Sequence, residues 1–256
     1  MNIWFTDLDN TLIYSFRHDI PEPKLTAEYY LEREQSYVTR RTLTFLQRFS
    51  QEKDNLLIPV TTRTQQQYER IAPLLEQLTL HYALVENGAV LLDHGTPDES
   101  WETESLSIVS KSSDSLSCVY QDLFNHLGNS HLHDLSPYMV FAKTEKDPSL
   151  FRYLKNTYTE KGISILYSGS KLYGLPSELT KGNAIKRLCQ RLQLENCCAI
   201  ASGDSVFDLS MLSLSDIALY PESFSEAKGI GKRSIPVSGF FSDGMCHVLE
   251  DILSIQ

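Results

Sequence analysis

An α/β fold, a doubly wound parallel sheet with an inserted α+β domain, is predicted from three features of the sequence. Short apolar runs alternate with helix-period segments towards both ends. The runs lack the polar alternation of a half-exposed strand. The middle of the chain changes to a helix-and-hairpin pattern. Apolar runs without alternation are strands covered on both faces, as helices on either side of a parallel sheet would cover them.

Ile3-Trp4-Phe5-Thr6 is the first such run and ends abruptly at Asp7. Thr42–Ser50 reads as a helix and Leu56–Thr61 as the second strand. Thr64–Leu78 has a helical pattern that Pro73 kinks or interrupts, because proline lacks an N–H and clashes with the preceding turn. Ala83–Val85 is a third strand. In the middle, Ser105–Ser117 is expected as a Ser-rich loop leading into a helix at Ser112–Leu127, and Tyr138–Ala142 is a strand. Asp147-Pro148 supplies an N-cap and first turn for a helix through Tyr158. Ile163–Tyr167 and Leu172–Leu175 read as strands joined through Ser168-Gly169-Ser170. Lys181–Leu192 is helical, Cys197–Ser202 a strand, Asp208–Leu212 the opening of a helix, Ile217–Leu219 a strand and Gly244–Leu253 a final helix. The expected division is a core of residues 1–88 and 177–256 with an inserted α+β domain at 89–176. Tyr14–Arg40 is long, with Arg17, His18, Arg33 and Arg40 and two prolines. It is either a flap over the site or an ordinary surface insertion.

Composition narrows the function. With 41% hydrophobic and 22% charged residues, the 256-residue chain is globular rather than disordered. A net charge of -10 without a long basic run argues against a nucleic-acid partner. Five cysteines without regular spacing are not a disulfide framework, and Cys197-Cys198 lie in an apolar run that reads as core. No apolar stretch reaches the ~18 residues a membrane span needs, and no signal-peptide pattern is present, so a soluble, cytoplasmic protein without a membrane partner is expected. An acidic protein that handles an anionic substrate needs positive charge focused at its site, which a metal ion supplies.

Four polar clusters fall at predicted strand or helix ends, where parallel sheets bind ligands. Asp7-Leu8-Asp9-Asn10-Thr11 places two carboxylates on one loop. One can attack phosphorus and the other can move protons, or Asp7 simply caps a turn. Thr61-Thr62-Arg63 offers hydroxyls and free N–H groups to a phosphate oxygen, or a plain helix N-cap. Lys181 stands at a helix N-terminus against the dipole, so it needs a carboxylate or phosphate partner, or else it is merely exposed. Asp204 and Asp208, four apart in Gly203-Asp204-Ser205-Val206-Phe207-Asp208, can face one hard cation such as magnesium, or form a turn with a cap.

The order of these clusters resembles the four motifs of the haloacid dehalogenase superfamily: a strand followed by Asp-x-Asp-x-Thr, a strand ending in Thr or Ser, Lys-Gly-x-Ala, and Gly-Asp-x-x-x-Asp. Asn87-Gly88-Ala89 and Ser242-Asp243-Gly244 are similar to elements of its Cof-like branch, which includes sucrose-phosphate and mannosyl-phosphoglycerate phosphatases. The resemblance implies a Rossmann-like core with an α+β cap. It also implies Asp7 as nucleophile, Asp9 as general acid/base with a metal-binding carbonyl, Thr61 and Thr62 as phosphate ligands, Lys181 as charge partner, and Mg2+ held with Asp204 and Asp208. Two departures stand out: Thr62 replaces a common glycine, and Phe207 stands where many relatives have an Asn that touches the phosphate side. The implied activity is hydrolysis of a small phosphate ester, a sugar phosphate or related metabolite. A phosphomutase on the same core and a non-catalytic binding module are the alternatives.

Other clusters carry less. Lys143, Arg152 and Lys171 are candidate substrate contacts in the insert. His131-Leu132-His133-Asp134 lacks a distant ligand and reads as a polar loop rather than a metal site. Gly229-Ile230-Gly231-Lys232 lacks the spacing of a phosphate loop and reads as a turn.

Overall fold

The structure is a computed structural model that describes residues 1–194 and 196–253. It divides into two compact units, Met1–Asp98 with Lys181–Gln256, and Glu99–Thr180.

The first unit is built on a five-stranded parallel sheet. Its strands run in the order Arg233–Val237, Ile217–Pro221, Cys198–Ser202, Asn2–Thr6, Asn55–Pro59. Asn2–Thr6 lies inside the sheet, paired on both sides, and Ile3, Trp4 and Phe5 are fully buried, as expected for a strand covered on both faces. Its register sets Thr6 opposite both Ser202 and Pro59. The residues that follow each strand therefore emerge side by side at one edge of the sheet.

The helix Arg40–Gln51 starts where Thr39 accepts a hydrogen bond from the Thr42 N–H. It buries Leu43, Phe45, Leu46 and Phe49. Phe45 and Phe49 meet the Trp4 ring edge-on, with centroids 5.9 and 5.4 Å away. The Trp4 Nε1–H donates to Ser202 Oγ at 2.9 Å, so the buried indole is satisfied. Asp243 accepts from the hydroxyls of Thr39 and Thr42, which ties the start of the last helix, Phe241–Leu253, to this one.

Several elements differ from the sequence reading. Tyr14–Arg40 is a three-stranded antiparallel sheet over most of its length, with Lys24–Tyr30 paired to Arg33–Thr39 and Tyr14–Ser15 on the other side. Its two-residue turn holds Leu31 and Glu32 at φ 49° and 61°, a conformation that usually advertises itself with Asn or Gly. Thr64–Leu78, by contrast, is interrupted as the proline implied, into Gln65–Glu69 and Ala72–Leu75, with Pro73 in the first turn of the second. Val90–Asp93 pairs with Tyr82–Val85 and with Thr96–Pro97, so the first unit extends to Asp98 and the insert begins later than residue 89. Arg233–Val237 is an added edge strand, where Pro236 is tolerated.

In the second unit, the sheet order is Ile163–Ser168, Lys171–Pro176, Met139–Lys143, Leu132–Leu135, all antiparallel. Helices Ser113–Leu127 and Pro148–Tyr158 contribute Leu116, Val119, Leu123, Leu150 and Leu154 to a core with Val140, Ala142 and Ile165. The expected Ser105–Ser117 loop is instead mostly helix, Glu99–Ser110 running almost directly into Ser113–Leu127. The hydroxyls of Ser105 and Ser110 bond back to the carbonyls of Trp101 and Ser107, which satisfies these serines within the helix. His133, expected in a loop, is in a strand and stacks on Phe141 at 4.5 Å.

No helix among the described residues is long and apolar enough to cross a membrane.

Replacing Trp4 by Ala removes a buried ring and leaves the Ser202 hydroxyl without its donor. Urea denaturation of the variant is expected to show a loss of about 3–5 kcal/mol. A loss below about 1 kcal/mol, the scale of a surface substitution, would contradict this packing.

Candidate active site

The site begins at the carboxyl edge of the parallel sheet. After Thr6 the chain continues the register for one residue, the Asp7 N–H donating to the Ser202 carbonyl at 2.9 Å. It then turns. The N–H groups of Thr11, Leu12 and Ile13 all point to the Leu8 carbonyl, and Asn10 takes φ 57°, which Asn tolerates. This compact loop presents Asp7 inward, while the Asp9 side chain remains about half exposed.

Opposite Asp7, the chain leaves Ser202 through Gly203. A Cβ on Gly203 would lie 2.3 Å from Asp208 Cγ, so only glycine fits. Asp208 is fully buried, and its Oδ2 accepts from the Asp204 N–H, the Ser205 N–H and the Ser205 hydroxyl. Its Oδ1 accepts from Lys181 Nζ at 2.6 Å, and the same ammonium lies 2.6 Å from Asp7 Oδ1. The Lys181 side chain is 1% exposed. The residue that opposes its helix dipole is thus a buried bridge between two carboxylates. The helix approaches closely because Gly182 leaves room, a Cβ there falling 2.5 Å from the Ser210 carbonyl.

Asp7, Asp204 and Asp208 each offer an oxygen within 4.8 Å of the others, and no other such metal-ligand group occurs among the described residues. His131, His133 and Asp134 therefore form no such cluster. Three carboxylates against one ammonium leave a formal excess of two negative charges. An all-oxygen donor set with that deficit suits a hard divalent cation. Without one, the electrostatics are strained. Burial, with the neighbouring Asp208 charge, pushes the Asp204 carboxyl up to about 7, against the pull of Lys181. Burial likewise raises Asp7 well above the carboxylate range, Lys181 opposing and the other aspartates adding to it. Burial works against the Lys181 charge, but Asp208 and Asp7 outweigh it and hold the ammonium protonated.

Thr61 is buried at the end of the neighbouring strand, and its hydroxyl accepts from the Arg63 N–H at 3.2 Å. The Thr61 carbonyl accepts from Asn87, which gives the Asn87-Gly88-Ala89 turn a supporting role. Thr62 is half-buried beside it. Phe207 is buried, without the amide that Asn would offer. In the second unit, Lys143 and Lys171 face each other across paired strands, with Lys171 5.0 Å over the Phe141 ring, and Arg152 lies exposed on the helix Pro148–Tyr158. Lys232 pairs with Asp216 at 2.6 Å in the glycine turn.

Two residues beside Asp9 were not selected from the sequence. The Arg63 guanidinium grips Asp9 with both ends, Nε to Oδ2 at 2.8 Å and Nη2 to Oδ1 at 2.7 Å, and Nη2 also reaches Glu28 at 3.0 Å. Arg63 directly follows Thr61 and Thr62, so its position was visible. Glu28, thirty-five positions away, gave no local signal.

A family model described as haloacid dehalogenase-like hydrolase matches residues 44–220, more than half of the chain. Curated protein sequences give no match. Solved structures with a similar fold include a sucrose-phosphatase from Synechocystis sp. PCC6803 in complex with sucrose and phosphate. It is 19% identical with TM-score 0.61, over 98% of this chain and 97% of that one. The protein 0175 of Thermoplasma acidophilum is 13% identical with TM-score 0.66, over 100% and 99%. Trehalose-6-phosphate phosphatase of Aspergillus fumigatus is 15% identical with TM-score 0.59, over 98% and 93%.

A carboxyl raised from 3.8 to about 7 binds more protons in the folded than in the unfolded chain between those values. Its contribution to stability therefore falls as pH rises through that window. A cation that needs the carboxylate ionised counters the loss, and does so most at high pH. Magnesium added to chelator-stripped protein is expected to raise Tm more at pH 8 than at pH 6, measured by calorimetry. An equal or smaller rise at pH 8 would contradict the assignment.

Proposed function

The chain belongs to the haloacid dehalogenase-like hydrolases, and from that premise we propose that it is a magnesium-dependent phosphatase that acts on a small phosphomonoester of the sugar-phosphate kind through Asp7. The observation that carries this reading is the buried ammonium of Lys181, 2.6 Å from both Asp7 and Asp208, beside a third carboxylate on Asp204. A salt bridge placed for stability alone would not gather a surplus of buried negative charge, because such charge costs several kcal/mol per uncompensated ion. A dication bound there would cancel the formal excess of two negative charges and allow a phosphate group to approach the carboxylates.

Asp7 and Asp204, with the Asp9 carbonyl, would hold the metal, and Asp208 would orient it. Bound there, magnesium supplies neutralisation of the phosphoryl oxygens. The rest is done by side chains. An Asp7 carboxylate oxygen attacks phosphorus, and the bond to the leaving oxygen breaks in line. Asp9 gives its proton to that oxygen. A water then attacks the aspartyl-phosphate, surrenders a proton to Asp9 and releases phosphate with Asp7 restored. Lys181 and Thr61 stabilise the transferring group. Both Asp9 oxygens are held by Arg63, so proton transfer requires the carboxyl to swing away from the guanidinium. Its half-exposed position leaves room for that rotation. Arg63 thus sets where Asp9 starts and returns.

Asp7→Asn is expected to abolish release of phosphate from an aryl phosphate while circular dichroism stays unchanged. Full activity in this variant would end the covalent route. Arg63→Lys keeps the charge and loses the two-pronged grip, and is expected to lower kcat about ten- to a hundredfold with a smaller change in KM. An unchanged kcat would remove Arg63 from the mechanism.

A further inference from the structure

An oxygen leaving phosphorus must lie within hydrogen-bond reach of the group that protonates it. If that group is Asp9, the remainder of the substrate lies on the Asp9 side of the loop. A cavity of about 290 Å3 is found there, within the first unit, and Asp9, Phe16, Arg17, Gln35, Arg63 and Arg70 are among the residues around it.

The three-stranded hairpin sheet forms the wall of this cavity, and its construction is specific. Glu28, 5% exposed, accepts from Ser36 Oγ at 3.2 Å and from Arg63 at 3.0 Å, and lies 3.2 Å from Arg70 Nε. A carboxylate turned inward from a hairpin is costly unless it is paired. Here it immobilises two arginines at the edge of the cavity and cancels part of their charge. Arg70 also lies 4.7 Å over the Tyr30 ring, and Arg17 lies 5.5 Å over the Phe16 ring with no acidic partner among the described residues. Phe16 and Tyr30 are about half exposed, so both rings offer apolar surface.

Size and chemistry together select a ligand. The volume is at the small end of the ~300–1,000 Å3 usual for ligand sites, which suits one ring rather than two. Aromatic surface beside arginine, amide and hydroxyl groups matches the C–H face and hydroxyl rim of a sugar. With Arg63 and Arg70 compensated, one spare cation does not suit a second phosphate group. We propose that the hairpin sheet Tyr14–Thr39 forms the leaving-group subsite of the core, sized for one sugar ring, with Arg17 and Gln35 as specificity-determining residues. The inference rests on the phosphatase reading above.

Binding can be measured without turnover in the Asp7→Asn background. Calorimetric titration with inorganic phosphate and a panel of hexose and pentose monophosphates, in magnesium, gives the tightest sugar phosphate. Adding Arg17→Ala and Gln35→Ala, both off the buried core, is expected to weaken that sugar phosphate about tenfold or more, with inorganic phosphate within about twofold. Three results would overturn the subsite. The sugar phosphate and inorganic phosphate could weaken equally. The sugar phosphate could be unaffected. No sugar phosphate could bind better than inorganic phosphate, which would leave the phosphatase reading standing. Failure to bind any phosphate would instead remove that reading, and the subsite with it.

Discussion

A single buried ammonium, that of Lys181, organises the centre of this protein. It is shared between Asp7 and Asp208, two carboxylates from loops 201 positions apart in sequence, and it cannot neutralise both together with Asp204. The fold pays for this arrangement with glycines that alone allow the approach, Gly203 against Asp208 and Gly182 against Ser210. A structure selected only for stability would replace such a cluster with apolar side chains of similar volume. Its presence at the carboxyl edge of a parallel sheet is the signature of a site that waits for charge to arrive.

Sheet register turns this constraint into geometry. Because Thr6 lies opposite Ser202 and Pro59, the Asp7 loop, the Asp204 loop and the Thr61 loop leave the sheet next to one another. Lys181 then needs only a helix start above them. The hairpin sheet makes a second layer of control. Through Glu28 it holds Arg63, and through Arg63 it holds Asp9, so a residue of the hairpin sheet helps to fix the position of a carboxylate on the Asp7 loop. Asp208 has a comparable part, since its two oxygens accept from Lys181 and from the loop that carries Asp204.

Much of this was legible in the sequence, and the reasons are local. Apolar runs ending in Asp7, Thr61 and Asp204 mark strand ends, and Lys181 opposed its helix dipole conspicuously enough to demand a partner. The hairpin sheet was not legible, because Leu31-Glu32 turns it without the usual Asn-Gly signal and a bulge between Thr26 and Glu28 breaks its alternation. The helix at Glu99–Ser110 was hidden by serines that bond to their own backbone, and the Glu28–Arg63 pair by its distance in sequence. The extension of the first unit to Asp98 depended on a two-residue turn at His94-Gly95, which is again a matter of long-range pairing.

The convergence of Asp7 and Asp204 on one cation is tested most directly by locating the ion. Crystals grown with manganese in place of magnesium give an anomalous signal that marks its position. One peak, in contact with carboxylate oxygens of Asp7 and Asp204 and with the Asp9 carbonyl, is the expected result. A fully active protein whose ion binds elsewhere, or whose Asp7 and Asp204 carboxylates share none, would contradict it.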